Sequence, residues 1–421
     1  MNKVTTLLNG LRIITNDVKA YKSVAIGIWS GVGGRYEQGA LKGAAHFLEH
    51  IVFKGSHKYS CEEIKMKIEG IGGTLNAFTA EEQTCFYAKI PSKFLSSTFD
   101  VLSDIAFFPN IAQKDVTKER TVICEEIKMY QDVPQYHVIE MLDRLLWPDH
   151  PLGQGIAGSQ KTVKGMTAKD LKGFHKVYYS PSNSIIAACG NINHDQLVTM
   201  VKRKLGHLER YDIPAFQRAN NQQDKARVAV EKRPIEQMHV AMGVLAYDQS
   251  HKDRSALTLL NVILGGNMSS RLFEEVREKR GLAYSISSSL KLLNDTGTLL
   301  IRAGVDNTNL VSAIKLIMKV LNQIKRTGVT DNEFSRAKDY LLGQLMLGLE
   351  DTMDQMLWIG EGLIAKNEVR RLEDLIKAYK KVKKEDIKRI AKEIFNKNQF
   401  NLAVVGPISE EQQRELNKIF I

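Results

Sequence analysis

Apolar and polar positions along this chain follow two periods, one typical of strands and one typical of helices. The N-terminal stretch MNKVTTLLNGLRIITND predicts a strand, a turn at glycine and a second strand. The segment from Gly43 to Phe53 has no proline, no interior glycine and no charge besides Glu49, which predicts a buried helix. Runs of strands mixed with runs of helices, without regular alternation, favour an α+β sandwich.

Two parts of the chain repeat each other. The stretch MTAKDLKGFHKVYYSPSNSIIAACGNIN aligns without a gap with VKKEDIKRIAKEIFNKNQFNLAVVGPIS, so that Gly190 falls on Gly406, an offset of 216. The same offset pairs VAIGI, beginning at Val24, with VAMGV, beginning at Val240. One constant offset near both ends of each half indicates an internal duplication. We therefore predict two homologous α/β sandwich domains.

The stretch between the copies is polar and contains ANNQQDK, which is typical of a linker. We place the N-terminal domain at residues 1–206, the linker at 207–226 and the C-terminal repeat at 227–421. Two halves joined in this way could close like a clamshell around one site held between them.

Composition limits the class of protein. The chain has 421 residues, of which 43% are hydrophobic and 25% charged, and this is ordinary globular composition. Because no run approaches the roughly 18 apolar residues of a membrane span and the N-terminus lacks a signal core, we expect an unexported, cytoplasmic protein with no membrane contact. The four cysteines form no CxxC pair, which favours free thiols in a reducing compartment.

The net charge of +11 raises nucleic acid as a partner. However, the densest basic run, AYKKVKKEDIKRIAKEIFNK, mixes acidic residues in at helical spacing. A solvated helix face explains this run better than a phosphate-binding stripe does, so we expect no nucleic-acid partner.

The stretch HFLEH carries the first candidate chemistry. On a helix, His46 and His50 lie one turn apart and point the same way, with Glu49 beside them. Two core histidines satisfied by backbone carbonyls would explain either residue alone, but they do not explain the whole H-x-x-E-H unit. Two imidazoles one turn apart can bind one zinc ion, which then needs a third protein ligand, usually a carboxylate.

The candidate for this ligand lies on the helix predicted for KDVTKERTVICEEIKMYQDVP, which stops near Pro134. At about 100° per residue, an apolar stripe falls within about 80° of Glu119, and it comprises Val116, Val122, Ile123, Ile127, Met129 and Tyr130. Glu126 lies about 20° from Glu119, whereas Glu125 points to the opposite side. We predict Glu126 as the third ligand and Glu119 as a carboxylate that orients a histidine, with a structural salt bridge as the alternative role of Glu119.

The second half has no ligand at the corresponding places. The offset of 216 maps His46, Glu49, His50 and Glu126 onto apolar residues and glycines, namely Val262, Gly265, Gly266 and Leu342. We therefore expect a zinc-binding catalytic N-terminal domain and an inactive C-terminal repeat that covers it.

These residues resemble a known family. HFLEH, followed by a glutamate 76 positions after its second histidine, resembles the inverted-motif (HxxEH) zinc metallopeptidases of the pitrilysin family. GAAHFLEHIVFKGS, IGGTLNAFTAEEQTCFYAKI, EEIKMYQDVP and LGGNMSSRLFEEVREKRGLAYSISS are similar to its bacterial processing-peptidase-like branch, which is related to the mitochondrial processing peptidase beta subunit. The resemblance covers nearly the whole chain. It implies one Zn²⁺ per chain held by His46, His50 and Glu126, with Glu49 as the general base.

The resemblance also implies residues that contact a substrate. Arg277 and Tyr284 match a pair with which the second half of the family contacts bound peptide, and Asn76, Ala77 and Phe78 match an edge strand that pairs with peptide backbone. Tyr284 and Phe78 could instead be core aromatics. The implied function is a zinc-dependent endopeptidase that hydrolyses peptides or unfolded segments bound in extended form between the halves.

The family includes non-catalytic subunits, so a structural or binding subunit of the same fold is the alternative function. A regulatory zinc site is a third. The non-catalytic processing-peptidase subunit carries a long glycine-rich loop where this chain has only LGGNMSS, so the chain looks like a catalytic subunit. We expect a homodimer, with a heterodimer with an inactive relative as the alternative.

Overall fold

Two mixed β-sheets with the same strand order form the framework of the molecule. The computed structural model describes residues 2–420. Its strands are β1 (Asn2–Thr6), β2 (Arg12–Asp17), β3 (Ser23–Ser30), β4 (Thr74–Thr79), β5 (Thr84–Pro91), β6 (Ser184–Gly190), β7 (Arg227–Lys232), β8 (Gln237–Ala246), β9 (Ala283–Leu292), β10 (Gly297–Asp306) and β11 (Asn401–Gly406). One sheet has the order β1-β2-β6-β3-β5-β4 and the other β7-β11-β8-β10-β9. The matching pairs β2–β6 and β7–β11 are parallel, while the other neighbours run antiparallel.

Most helices lie between the hairpin β4–β5 and strand β6 in the first half of the chain, and between the hairpin β9–β10 and strand β11 in the second. The helices are α1 (Ala44–Ile51), α2 (Cys61–Glu69), α3 (Leu95–Phe107), α4 (Gln113–Asp132), α5 (Pro134–Leu146), α6 (Gln160–Gly165), α7 (Ala168–Tyr178), α8 (His194–Leu205), α9 (Arg254–Gly265), α10 (Leu310–Thr327), α11 (Asp331–Gly348), α12 (Thr352–Lys366), α13 (Leu372–Lys381), α14 (Lys384–Ile394) and α15 (Glu410–Phe420). A π-helical turn spans Phe273–Glu278. The repeated succession of strands and helices confirms the predicted α+β fold with an internal duplication.

The chain forms two compact units, and each is discontinuous in sequence. Unit 1 contains the residues up to Ile127, Gly155–Gln217 and Met346–Arg371. Unit 2 contains Lys128–Gln154, Arg218–Leu345 and the residues from Leu372 onward. Each unit thus includes one helix from the other sequence repeat, α12 in unit 1 and α5 in unit 2. The compact units follow contacts in space, whereas the domain boundaries at 206 and 227 follow the sequence repeat. These boundaries therefore stay a prediction about the repeat.

The sheet of unit 1 is buried on both faces, and β3 shows why. Its residues alternate between the faces with period two. Val24, Ile26 and Ile28 join the core that contains α1, α3 and α7. Ala25 and Trp29 join a second apolar cluster on the opposite face, which α12 covers. Because both sets are apolar, a helix layer on each face is required to keep β3 out of water.

Unit 2 has the same layering. One face of its sheet packs against α9, α10 and α14 in a large apolar core. The other face is covered by α5, whose residues Val138, Leu142 and Leu146 pack against Ala241 of β8 and Val405 of β11. Small residues on these strands let the helix approach the sheet closely.

Two further expectations concern the chain outside the sheets. The predicted strand–glycine–strand at the N-terminus is confirmed by β1, β2 and the turn at Gly10, whose φ of +87° favours glycine. Residues 207–226 contain neither helix nor strand. Within the described chain, no helix combines the length and apolar character needed to cross a bilayer.

Gly360 of α12 provides a test of the packing on unit 1. A methyl group there would lie 2.5 Å from Nε1 and 2.7 Å from Cε2 of the buried Trp29 ring. We expect Gly360→Ala to lower the free energy of unfolding by about 1–3 kcal/mol, because neither the ring nor the helix has room to shift. Chemical denaturation followed by circular dichroism measures this change.

The matched control is Gly343→Ala in α11, where a methyl group meets no atom within 4 Å. Helix propensity alone should then leave the stability unchanged or raise it by up to about 1 kcal/mol. Equal unfolding midpoints for the two variants would contradict the close packing of α12 on Trp29.

Candidate metal centre

The helix that carries the histidine pair, α1, begins at a buried ion pair. Its N-cap residue, Gly43, has no side chain, and its φ of +97° favours glycine. The Glu37 carboxylate accepts hydrogen bonds from the N–H groups of Gly43 at 2.8 Å and Ala45 at 2.6 Å. Lys42 Nζ lies 3.4 Å from Glu37 and donates to the carbonyl of Gly34 at 2.6 Å. Glu37 therefore supplies the cap that α1 lacks and fixes its first turn.

The pattern of apolar residues gives no indication of this cap, because Glu37 lies outside the helix. Burial raises the pKa of Glu37 and lowers the pKa of Lys42, while each partner counteracts the effect on the other. A signal was nevertheless present in the sequence. A helix that starts at glycine leaves unpaired N–H groups in its first turn, which need an acceptor from elsewhere.

The three predicted ligands converge in unit 1. His50 Nε2 lies 3.3 Å and His46 Nε2 3.7 Å from Glu126 Oε2. Ligand atoms of all three residues lie within 4.8 Å of one another. A tetrahedral zinc ion with bonds of about 2.0–2.1 Å holds its ligands about 3.3 Å apart, so the arrangement fits zinc. Among the described residues, this is the one such cluster of His, Cys, Asp or Glu side chains.

The hydrogen bonding of Glu126 supports this fit. Its Oε2 atom is buried, and no hydrogen bond from the described part of the chain reaches it. A buried carboxylate oxygen without a donor is costly unless a cation neutralises it. Proximity to His50 lowers the pKa of Glu126, so the group is an anion suited to binding a metal ion.

Glu119 contacts both a histidine and a lysine, which fits both of the roles considered for it. Its Oε2 lies 3.2 Å from His50 Nδ1, and its Oε1 lies 2.7 Å from Lys54 Nζ. A carboxylate on Nδ1 favours the tautomer in which Nε2 is free to bind a metal. Lys54 was not identified from the sequence, although it lies one helical turn after His50. The equivalent atom of His46, Nδ1, is buried without a partner among the described residues.

The two histidines are electrostatically different. Burial and the neighbouring His50 lower the pKa of His46 to about 4, so its imidazole is neutral near pH 7. Burial works against protonation of His50, but Glu126 and Glu119 outweigh it and raise the pKa of this residue. A neutral imidazole is the form that binds a metal ion.

Glu49 lies beside the cluster but is not one of its three members. Its Oε2 accepts a hydrogen bond from Thr79 Oγ1 at 2.6 Å. Burial raises the pKa of this carboxyl, and the Thr79 bond partly opposes the shift. Thr79, the last residue of β4, was not identified from the sequence. It connects the carboxylate to the strand that was expected to contact a peptide.

In the sheet formed by the described residues, β4 is an edge strand and pairs with β5. Asn76 is exposed, and its Oδ1 accepts a hydrogen bond from the N–H of Ala77 at 2.8 Å, so a peptide added there would displace this bond. The Phe78 ring packs edge-on against Trp29 with centroids 5.5 Å apart. The side chain of Phe78 therefore contributes to packing, which agrees with its alternative role as a core aromatic. Its backbone lies at the edge of the sheet.

Arg277 and Tyr284 belong to unit 2, and the structure brings them together there. The Arg277 guanidinium carbon lies 5.9 Å from the centroid of the Tyr284 ring and 4.6 Å from that of Phe273. Tyr284 is 77% exposed, which excludes the alternative that it is a core aromatic. Both side chains are therefore accessible to a ligand of this unit.

One detail of the sequence prediction is wrong. Val122 and Met129, assigned to the buried stripe of α4, are each 50% exposed. The buried residues of this helix are Val116, Glu119, Ile123, Cys124 and Ile127. The centre of the buried face thus lies roughly 70° from Glu119. The two carboxylates occupy the border of this face, where the metal centre replaces apolar packing.

In the second repeat, the aligned positions serve packing. Val262 is buried in the core of unit 2. A Cβ atom at Gly265 would lie 2.6 Å from the backbone nitrogen of Ser288 in β9, so the glycine permits close approach of helix and strand. Side chains of ligand type would not fit there without displacing the strand.

Comparison with family models identifies both halves of the chain. Residues 12–160 match the model described as insulinase (peptidase family M16), and residues 165–341 match the peptidase M16 inactive domain. The chain is 37% identical over 406 residues to an uncharacterized zinc protease of Mycobacterium bovis, which covers 96% of this chain and 92% of the relative. It is 34% identical to the uncharacterized zinc protease YmxG of Bacillus subtilis over 408 residues, 97% of this chain and 98% of the relative. These relatives confirm the expected zinc cofactor.

Solved structures share the fold. The crystal structure of a protease from Helicobacter pylori superposes with a TM-score of 0.91 at 26% identity and covers 96% of this chain and 99% of that one. A chain of complex III2 from Candida albicans superposes with a TM-score of 0.85 over 99% of both chains. At 18% identity the second match shows the fold alone. The predicted fold class is confirmed.

Glu119→Gln tests whether this carboxylate orients His50. We expect the variant to bind zinc about 10–100-fold more weakly, because the Nδ1 partner loses its charge. Competition with a chromophoric chelator measures the affinity. Glu125→Gln, on the opposite side of the same helix, should bind zinc as the wild type does.

A second variant separates the two contacts of Glu119. If Glu119 served only the ion pair with Lys54, then Lys54→Met would weaken zinc binding as much as Glu119→Gln. We expect Lys54→Met to retain nearly the wild-type affinity.

Proposed function

Because the chain belongs to the insulinase family of peptidases, family M16, we propose that it is a zinc-dependent endopeptidase of the processing-peptidase-like branch. The observation that carries the proposal is the convergence of His46, His50 and Glu126, in which a buried oxygen of Glu126 faces both imidazoles, with Glu49 beside them. We assign the first three residues as zinc ligands and Glu49 as the general base. A non-catalytic subunit would have no need for these four residues together.

The residues divide the chemistry of peptide hydrolysis among them. His46, His50 and Glu126 would hold a zinc ion, which would supply Lewis-acid chemistry for the scissile carbonyl and for water at neutral pH. Glu49 takes the proton from the attacking water and delivers it to the leaving amine. Thr79 Oγ1 donates a hydrogen bond to Oε2 of Glu49 at 2.6 Å, which orients the carboxylate. The Glu37 cap keeps α1 in place while Glu49 changes its charge.

The substrate we propose is a peptide or unfolded segment in extended form. The free edge of β4 at Asn76, Ala77 and Phe78 could accept an added strand, whose backbone hydrogen bonds tolerate varied sequences. In this proposal the peptide lies between the two halves. Arg277 contacts a substrate carbonyl or carboxylate, and Tyr284 donates to the developing oxyanion.

The quaternary part of the proposal rests on the resemblance, and the cellular part rests on the expectation from the sequence. We infer a homodimer that acts in the cytoplasm on peptides. The short LGGNMSS segment supports the assignment as a catalytic subunit, because the non-catalytic processing-peptidase subunit is longer at this place.

Glu49→Gln and His50→Ala test the assignment. We expect Glu49→Gln to keep one zinc per chain and to lose at least about 10²-fold in kcat, because the amide cannot accept a proton. His50→Ala should lose both zinc and hydrolysis. A quenched fluorescent peptide, assayed with and without a chelator, measures activity, and atomic absorption measures zinc.

Near-normal turnover by Glu49→Gln would refute its role as the base. Activity that survives complete removal of the metal would refute a metallopeptidase altogether. Glu125→Gln is the matched control for loss of a glutamate near the site and should behave as the wild type.

Tyr284→Phe tests the role of the exposed tyrosine of unit 2. Loss of one hydrogen bond to the oxyanion should lower kcat by about 10–10²-fold with zinc content and KM little changed. Tyr340→Phe, a partly exposed tyrosine on α11 in the same unit, is the control and should leave kcat unchanged. An effect of Tyr284→Phe on KM alone would indicate substrate binding only.

A further inference from the structure

Unit 2 contains a cavity of about 370 Å³ on the face of its sheet that α5 covers. Two rows of residues cross the strands β8, β10 and β9 there. In one row Gly304 of β10 pairs with His239 and Ser285. In the next row Arg302 of β10 pairs with Ala241 and Ser287. The first turn of α5, at Gln135 and Tyr136, borders the same cavity.

Small residues form the floor of the cavity. Gly304 has no side chain, and a Cβ atom in its place would lie 3.1 Å from Ser285 Oγ. This absence leaves a depression between His239 and Ser285, both of which offer polar atoms. Burial lowers the pKa of His239, so this imidazole is neutral near pH 7 and contributes no charge.

The charge of the cavity comes from two arginines. Arg302 is exposed, and its Nε donates a hydrogen bond to Ser287 Oγ at 3.2 Å, which orients the guanidinium without using its Nη groups. Arg277 stacks on Phe273, with Glu278 at 3.8 Å from its Nε. Among the described residues that line the cavity, none carries a carboxylate. Donors and positive charge without a lining acid favour an anion.

In the other repeat, the basic residue at the position of Arg302 has an acidic partner. In unit 1, β3 and β5 pair Ala25 with Lys89, and the repeat offset places Ala25 on Ala241, the partner of Arg302. Lys89 therefore occupies the position of Arg302. It forms an ion pair with Asp351, the N-cap residue of the covering helix α12.

Unit 2 has an amide at the corresponding place. The offset of 216 puts Asp351 on Gln135, which lies in the first turn of α5 and lines the cavity. The chain thus supplies no carboxylate at the position that Asp351 fills in unit 1, while the cation across from it is retained as Arg302. A carboxylate is thus the anion that fits the position opposite Arg302, because a carboxylate fills this position in the other repeat.

We propose that this cavity binds a carboxylate of a peptide ligand, and that Arg302 determines the preference for a carboxylate over a neutral group. The carboxylate is either the C-terminus or the side chain of Asp or Glu. A planar guanidinium binds either one through two parallel hydrogen bonds. That the ligand is a peptide rests on the proposed function, whereas recognition of a carboxylate rests on the cavity.

The experiment measures peptide binding by fluorescence anisotropy with the zinc-loaded full-length chain carrying Glu49→Gln. Three labelled peptides share one neutral sequence: a C-terminal amide, the free C-terminal acid, and an amide with one internal Gln replaced by Glu. We expect one or both acidic peptides to bind at least about 10-fold more tightly than the neutral amide. The arm that shows the preference identifies the source of the carboxylate.

Arg302→Gln should reduce the preference to less than about twofold, and Arg302→Lys should retain part of it, because lysine keeps the charge but not the paired donors. Arg414→Gln on α15, an exposed arginine of the same unit outside the cavity, is the charge-matched control and should keep the full preference. Unfolding midpoints of all variants report whether they fold.

Equal affinity for the three peptides would overturn the proposal. So would a preference that persists in Arg302→Gln, since the carboxylate would then bind elsewhere, for example at the metal ion. Cleavage of the neutral amide by the wild-type chain is measured separately. A carboxylate preference without cleavage would refute the peptidase and leave the cavity assignment in place, and cleavage without the preference would do the reverse.

Discussion

The approach of α4 to α1 is the constraint on which the metal centre depends. It places Glu126 Oε2 within 3.3 Å of His50 Nε2 and Glu119 Oε2 within 3.2 Å of His50 Nδ1. Carboxylates partly removed from water lose hydration energy, and neither helix would tolerate them as isolated charges. A metal ion bound by the three side chains, as we propose, would compensate for that loss. The geometry of the site and the stability of the helix pair are therefore coupled.

The start of α1 extends this coupling to the loop before it. Glu37 and Lys42 form an ion pair that is almost completely removed from solvent. Loss of one partner from such a pair leaves an uncompensated buried charge, so both residues have to be retained together. Glu37 accepts from the backbone of Gly43 and Ala45, immediately before the first histidine, and Lys42 donates to the carbonyl of Gly34. The ion pair therefore connects the loop before α1 to the first turn of the helix.

The sequence predicted the parts of this arrangement that depend on local periodicity. The spacing of His46 and His50 follows from the helical turn, and the choice of Glu126 over Glu125 follows from helical projection. The projection failed at Val122 and Met129, because it treats every apolar residue near the stripe as buried and cannot tell where a neighbouring helix ends. Contacts between segments distant in sequence, such as Thr79 with Glu49, have no periodic signal.

The choice of sheet for α5 and α12 could not be predicted either. Both helices are amphipathic, and an apolar face specifies that a helix packs on a sheet but not on which one. That the two sheets share a strand order, in contrast, follows from the duplication, since homologous repeats share a topology. The constant offset between the repeats is thus informative about the architecture. Which helix packs on which sheet is decided by shape and by small residues such as Gly360.

Duplication allows one position of the fold to acquire two kinds of chemistry. Where α1 carries the proposed metal ligands, the second copy has Gly265 against the backbone of β9 and gains close packing. Where Lys89 is neutralised by Asp351, the second copy has Arg302 and, at the position of the aspartate, Gln135. In each pair, one copy uses the position to stabilise the fold and the other leaves a charged group for something outside the chain. Because a charged group without a partner in the chain is available to a ligand, the unbalanced copies are the places where ligands are expected, a metal ion in unit 1 and an anion in unit 2.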